Sequence, residues 1–211
     1  MSDRLVLAAH PDLADSRVTR QLVGRARTAD GVALRDLYDL YPDYLVDVAA
    51  ERAALADARL VVLLHPLHWW GMPALLKLWV DEVLGFGWAY GAPGAGAALA
   101  GKHLWLVSSA GSSAASFAAD GAQGAPLDAF LLPYRGIARL CGMHWLPPLI
   151  LHDAHRADAA ALRTHAERFS EGLRDWPAWT GAAGTAPTPL VPTLELDDRP
   201  APFSPYGTRE R

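Results

Sequence analysis

Three short clusters carry the residue types from which a binding or redox site could be built. The largest is His65-Pro66-Leu67-His68-Trp69-Trp70-Gly71-Met72-Pro73. It offers imidazoles, adjacent indoles and turn-forming residues, but no nucleophile. Four of the eight tryptophans fall between residues 69 and 88, a density that suits an aromatic-lined pocket. The plainer alternative is that Trp69 and Trp70 are core residues at a helix start. The second cluster is His10-Pro11 with Ser16, Arg17, Val18, Thr19 and Arg20 downstream. Ser16 can cap a helix whose free N–H groups favour an anion, most obviously a phosphate. On this loop alone an ordinary cap is the simpler reading. The third is Ser108-Ser109-Ala110-Gly111-Ser112-Ser113. Small residues there let the backbone approach a planar ligand closely, though a simple serine-rich loop fits as well.

Other chemistries find little support. Glycines from 85 to 96 follow a helix and lack the G-x-G-x-x-G spacing of a dinucleotide fingerprint. No G-x-S-x-G is present, so a hydrolase nucleophile elbow is not supported. Cys141 sits among apolar residues with no activating partner and reads as core. His152 and His155 could form a metal pair, but they lack a third ligand. The expected metal content is none.

The elements around these clusters alternate. Arg4–Ala9, Val32–Leu37, Arg59–Leu64, Lys102–Val107 and His144–Leu151 read as strands. Helices are expected from Arg17 to about Thr28, from Val48 to Ala58 with Asp47 as cap, from Met72 to Val83, from Pro126 to about Gly142, and from Ala159 to Trp176. The expected fold is α/β: a three-layer sandwich with a five-stranded parallel sheet in the order 2-1-3-4-5. In that order the first, third and fourth strands end side by side at the switch point. The three clusters are those strand ends. One suits a phosphate, one offers aromatic and backbone contacts, one offers small residues, and together they fit a flavin.

Bulk properties bound the rest. The chain has 211 residues, 51% hydrophobic and 20% charged, enough for one well-buried domain. A net charge of −4 argues against a nucleic-acid partner, which needs a basic stripe. One cysteine makes no internal disulfide and suits a reducing cytoplasm. Met1-Ser2-Asp3-Arg4 runs into a strand without a signal-peptide pattern, and no apolar run reaches the roughly 18 residues of a membrane span. Residues 1–179 are expected to form the domain. Residues 180–211, with six prolines, are expected to form an extended tail, disordered or laid across a neighbouring subunit.

The chain resembles the flavodoxin-like NAD(P)H:quinone oxidoreductases, and within them the ancillary quinone reductases of glutathione-gated potassium efflux systems. The resemblance rests on Ala9-His10-Pro11 with Ser16, on Asp36-Leu37-Tyr38-Asp39-Leu40-Tyr41-Pro42-Asp43, and on His65 to Trp70. It rests also on Pro73 to Asp81, on Gly87-Trp88-Ala89-Tyr90-Gly91, on Gly101-Lys102-His103, and on Cys141-Gly142 with Trp145-Leu146-Pro147-Pro148. It covers roughly residues 4–176.

The resemblance implies a noncovalent flavin, FMN or FAD, with NAD(P)H as co-substrate. The phosphate side would lie over His10, Ser16, Arg17, Val18 and Thr19. The ring would lie over Leu67, His68, Trp69 and Trp70, with Ser108, Ser109, Ala110 and Gly111 at its polar edge. Tyr90, Phe117 and Gln123 would face a quinone-like acceptor. The implied chemistry is two-electron, ping-pong hydride transfer, so no protein side chain is assigned as catalytic. The implied assembly is a homodimer with the site at the subunit boundary, in the cytoplasm, peripheral to the inner membrane if a potassium-efflux partner binds it. A regulatory ancillary subunit with secondary turnover is the alternative function. Two departures from the family pattern stand out. Ser108-Ser109-Ala110-Gly111 replaces the usual Thr-Thr-Gly-Gly. Ser116-Phe117 and Ala122-Gln123 occupy the region where a tyrosine and a histidine are often found.

Overall fold

The computed structural model describes residues 2–91 and 96–180. Strands β1 (Arg4–Ala8), β2 (Val32–Asp36), β3 (Leu60–Pro66), β4 (His103–Ser109) and β5 (His144–Trp145) form one parallel sheet in the order β2-β1-β3-β4-β5. A sixth strand, β6 (Leu149–Leu151), pairs with β4 further along. Ala8 lies beside both Asp36 and Leu64, and Leu64 beside Val107, so the central strands finish at nearly one level.

Alternation along these strands splits the core in two. Leu5, Leu7, Val61, Leu63, Leu104 and Leu106 face one layer, made by α3 (Val48–Asp57), α4 (Ala74–Val83) and α6 (Leu132–Leu140). Val6, Val62, Leu64, Trp105 and Val107 face the other, made by α1 (Thr19–Arg27) and α7 (Ala159–Asp175). Both sheet faces are covered, which is why these strands read as near-continuous apolar runs. Helix α7 packs tightly on the sheet at Gly172, where a Cβ would stand 2.4 Å from the Trp105 ring.

One charged cluster is sealed into the first layer. Glu51 is fully buried. Its Oε1 accepts from Arg35 Nε at 2.6 Å and from Tyr41 at 2.5 Å, and its Oε2 accepts from Trp79 Nε1 at 2.9 Å. These bonds tie β2, α3, α4 and the segment after α2 (Leu37–Leu40) together.

Several boundaries differ from the sequence reading. The fifth strand is two pieces, because Pro147 and Pro148 have no N–H to give the ladder. The long helix expected over 126–142 is α5 (Leu127–Phe130) followed by α6, broken at Leu131. Pro133 cannot donate to the carbonyl four residues back, which stops a continuous helix there. The helix expected from Arg17 starts at Thr19, and a short helix opens the connection after β2. Strand β4 extends through Ser108 and Ser109, two residues beyond the expected end. Asp47 caps α3 as its position suggested, accepting from Ala50 N at 2.9 Å. The tail of residues 181–211 and residues 92–95 of the glycine-rich loop lie outside the described residues.

Candidate functional site

A cleft runs across the ends of β1, β3 and β4 as two connected chambers. The first, of about 260 Å³, is lined by His10, Ser16, Arg17, Val18, His68 and His155. The second, of about 240 Å³, is walled by Trp69, Trp70, Phe117, Gln123 and Phe130. Leu67 and Gly111 line both.

The first chamber is built by the turn after β1. Ser16 Oγ accepts from Thr19 N at 2.9 Å, which bends the chain into α1. The backbone N–H groups of Arg17 and Val18, just ahead of the helix, have no acceptor among the described residues. With the first turn of α1 they form the kind of N–H array that binds anions. The arginines expected to help are tied down. Arg17 donates to the carbonyls of His155 at 3.1 Å and Ala157 at 2.7 Å, and Arg20 to that of Ala14 at 2.7 Å. Asp12 and Asp15 are exposed on the rim. His10 Nδ1 accepts from Asp12 N at 3.1 Å, so that nitrogen carries no proton. Burial, then the nearby His68, push the His10 pKa below the usual imidazole value, with Asp12 opposing.

His155 reaches this chamber through the sheet. Beyond β6 the ladder continues, with Ala110 N bonded to Leu151 O at 2.8 Å and Ala154 N to Ala110 O at 3.0 Å. That brings the His155 ring over Gly111, where a Cβ would lie 2.9 Å from its Nε2. Gly111 therefore leaves room for the His155 ring to lie over it. The sequence offered His155 only as half of a metal pair. No group of three or more ligating residues occurs among the described residues.

The second chamber is framed by a tight turn. His68 and Gly71 exchange backbone hydrogen bonds at 3.2 and 3.0 Å, and the two residues between them are Trp69 (φ 49°) and Trp70 (φ 61°). Two consecutive left-handed residues are what a two-residue hairpin turn of type I′ demands, and Asn-Gly is its usual occupant. Bulky residues held there store roughly 1–3 kcal/mol each. Trp70 has compensation: its Nε1 donates to Gln123 Oε1 at 2.6 Å and its ring stacks on Phe130 at 6.2 Å. Gln123 Nε2 in turn donates to Ser112 Oγ at 3.0 Å. Trp69 is 87% exposed, with the edge of Trp70 beside it at 5.8 Å. Phe117 completes the wall, edge-on to Phe130 and tilted against His152.

Most residues singled out in the sequence meet at this cleft. His10, Ser16, Arg17, Val18, His68 and Ser109 line the first chamber, and Trp69, Trp70, Ala110, Phe117 and Gln123 the second. Three do not line either. Thr19 is buried behind the turn, and the Ser108 hydroxyl is buried and donates to the His65 carbonyl. Tyr90 is 4% exposed and packs against Phe86 within this chain. Phe130, within the helix expected over 126–142 and not among the expected site residues, faces the ring chamber. The neighbouring His65 lies in the wall behind, its Nδ1 on the Pro66 carbonyl and its ring stacked on Tyr134. Burial lowers its pKa to about 4, so it stays neutral.

The two chambers, which share Leu67 and Gly111, fit the two parts of a flavin nucleotide in kind: backbone N–H groups suited to a phosphate in the first and aromatic walls suited to a flat ring in the second. Comparison with known proteins shows the family. The sequence profile of the flavodoxin-like fold matches residues 3–173. A glutathione-regulated potassium-efflux system ancillary protein KefF from Citrobacter koseri is 41% identical over 172 residues, covering 82% of this chain and 96% of that one. Among solved structures, a protein described as a thermophilic tryptophan halogenase from Streptomycin violaceusniger is 36% identical with a TM-score of 0.75, covering 79% and 96% of the two chains. General stress protein 14 of Treponema denticola, solved with FMN, is 34% identical with a TM-score of 0.72, covering 82% and 97%. An NADPH-quinone reductase from P. pentosaceus is 26% identical with a TM-score of 0.73, covering 81% and 97%.

Proposed function

The chain belongs to the flavodoxin-like family, and on that premise we propose that it is a flavin-dependent NAD(P)H:quinone oxidoreductase. The observation that carries this reading is the pair of chambers joined at Leu67 and Gly111, one offering free backbone N–H groups and the other aromatic walls. The names of similar proteins differ, and a shared fold does not fix a reaction, so the site must carry the argument. The FMN complex of the Treponema denticola protein and the quinone-reductase name of the P. pentosaceus protein are consistent with it.

The chemistry a bound flavin supplies is acceptance of a hydride from NAD(P)H and then delivery of two electrons to a quinone-like acceptor, in ping-pong order. The protein's part is binding and orientation. The N–H groups of Arg17 and Val18 and the positive end of α1 hold the phosphate. Leu67, Ala110 and Gly111 form the floor under the ring. Trp70, Phe117 and Phe130 exclude water from its edge. Gln123, whose Oε1 is committed to the Trp70 indole, has an N–H left to offer an acceptor carbonyl. Tyr90 would join the site only through a movement or a second subunit, and a homodimer is part of this reading. FMN is the simpler fit to the two chambers; FAD needs room beyond them.

The test is the visible spectrum of the protein as isolated, with the released flavin identified by chromatography, followed by initial-rate kinetics. A yellow protein giving parallel double-reciprocal lines with NAD(P)H and a quinone is expected. A colourless protein that takes up neither FMN nor FAD sinks the reading.

A second reading has its own support. The Citrobacter koseri relative is named as an ancillary protein of a potassium-efflux system. No helix among the described residues is long and apolar enough to cross a membrane, so such a role would be peripheral. Leu40, Tyr44, Leu45, Trp69, Phe86 and Leu132 are large apolar residues left exposed on this chain, as a docking or dimer face requires. Co-purification with a potassium-efflux membrane protein supports this reading, and robust turnover without such a partner disfavours it.

A further inference from the structure

We propose that Gln123 makes the aromatic chamber selective for uncharged acceptors that carry a carbonyl, and that the same chamber turns anionic acceptors away. The inference rests on the quinone-reductase reading above and names the class of acceptor for that site.

The amide of Gln123 has one possible orientation. An indole N–H only donates, so the atom that meets Trp70 Nε1 at 2.6 Å must be Oε1. That puts Nε2 on the Ser112 side, where it donates to Oγ at 3.0 Å. One N–H of the amide is left over, on a residue that lines the chamber. The loop that carries it is braced. Gln123 N donates to the Ser116 carbonyl at 2.9 Å, and Ser116 is pinned to Ser113 through its own N–H at 3.2 Å and its hydroxyl at 2.7 Å. Gly121 permits this fold-back, because a Cβ there would stand 2.4 Å from the Ser116 carbonyl oxygen. A donor held in this way gives up little freedom when an acceptor binds.

The rest of the wall carries no charge. None of the residues that line the chamber is ionisable. His152 lies against Phe117 and lines a separate hollow. Arg17, in the other chamber, is committed to the carbonyls of His155 and Ala157. On the segments that build the wall, Arg135 is paired with Asp128 at 2.8 Å, and Asp120 is exposed. A flat, neutral ring therefore gains apolar contact with Trp70, Phe117 and Phe130, and its carbonyl oxygen gains one hydrogen bond from Gln123. A sulfonate or carboxylate on the same ring gives up hydration, finds one neutral donor, and meets no free cation. The amide neither gives nor takes a proton, so its effect is on binding.

The experiment uses the full-length, flavin-loaded protein in its oxidised form without NAD(P)H, so that an acceptor binds and is not consumed. Dissociation constants are measured by equilibrium dialysis at fixed pH for menadione and for the naphthoquinone that carries a sulfonate in place of its methyl group. The ratio of kcat/KM for the two acceptors is then measured with NAD(P)H. Wild-type protein is expected to bind menadione at least about ten-fold more tightly than the sulfonate. Gln123→Met keeps the length of the side chain and loses its hydrogen bonds; menadione binding should weaken about five-fold, the worth of one neutral hydrogen bond. Gln123→Glu keeps an acceptor for the Trp70 indole and turns a carboxylate oxygen towards the acceptor, so both should bind more weakly and the preference for menadione should widen. Gln123→Lys supplies a cation and should move the preference about ten-fold towards the sulfonate. The kcat/KM ratios should follow the same order.

Circular dichroism checks the fold, and the near-isosteric Gln123→Glu decides the matter if the lysine variant does not fold. Equal binding of the two acceptors by the wild-type protein, or a preference that neither charged variant moves, overturns the proposal and leaves the flavin reading intact. A flavin-loaded protein that binds neither acceptor overturns the proposal together with the quinone part of that reading. A protein that takes up no flavin removes the premise of both.

Discussion

Glu51→Gln is the substitution whose cost follows most directly from the geometry. The side chain is fully buried and every polar neighbour is a donor: Arg35 Nε at 2.6 Å and its terminal nitrogen at 2.5 Å, Tyr41 Oη at 2.5 Å, and Trp79 Nε1 at 2.9 Å. Glutamine has the same shape but brings two N–H groups of its own. Placed at the Oε2 position, its amide nitrogen meets the indole N–H; placed at Oε1, it meets three donors. The lower-cost orientation still loses the Trp79 bond, buries an unpaired donor and leaves Arg35 without its counter-charge. An unsatisfied buried donor costs about 1–3 kcal/mol, and breaking one side of a buried ion pair about 3–5 kcal/mol. Glu51→Gln should therefore lower unfolding stability by about 3 kcal/mol, a large share of the roughly 5–15 kcal/mol typical of a domain. Urea unfolding at pH 7, followed by circular dichroism, measures it. Adding Trp79→Phe removes the donor that the amide opposes. The double variant should then be more stable than the sum of the single effects implies, by about 1 kcal/mol. A loss below about 1 kcal/mol for Glu51→Gln, or strict additivity in the pair, would refute the all-donor description of this cluster.

Three further outcomes are expected. Burial lowers the pKa values of His65 and His165 from 6.5 to about 4; the unfolded chain then binds protons that the folded one refuses, so stability falls as pH drops from about 6.5 towards 4. Each contributes up to about 3 kcal/mol, and denaturation midpoints that do not fall between pH 7 and pH 5 would contradict it. Gly172→Ala should gain about 1 kcal/mol from helix propensity, but its Cβ would stand 2.4 Å from the Trp105 ring in a packed layer; overpacking of about 1–3 kcal/mol should win, and a raised melting temperature would show that α7 can move away. Trp70→Phe deletes the hydrogen bond to Gln123 while keeping a ring against Phe130. Melting temperature should change little and affinity for a quinone should fall several-fold, whereas unchanged affinity would remove the Trp70–Gln123 pair from the site.

Much of this architecture is legible in the amino-acid order. Leu60 to Leu64 is apolar without a break because both its faces are covered, and the alternation of such runs with three-and-four-spaced helices leads to a parallel sheet. Asp47 marks the start of α3, and Ser16 bends the chain into α1, because a short acceptor side chain satisfies an N–H only a few residues away. The three strand-end clusters could be brought together on paper because strand order in such sheets is a small set of choices.

What remained was decided by contacts between residues far apart in the chain. Arg17 looked available for an anion, but carbonyls 138 and 140 residues away claim it. Ser108 looked like a loop hydroxyl, but pairing through Ser109 carries β4 onward and turns it to the His65 carbonyl. His155 reaches the first chamber only because a second short strand forms beyond two prolines, and Phe130 reaches the second only because a helix breaks at Leu131. The left-handed turn at Trp69 and Trp70 leaves no mark in composition, since neither residue favours it. Periodicity and capping are local and so can be read along the chain. Which donor meets which acceptor across a sheet edge is settled by register and by packing, which no segment holds alone.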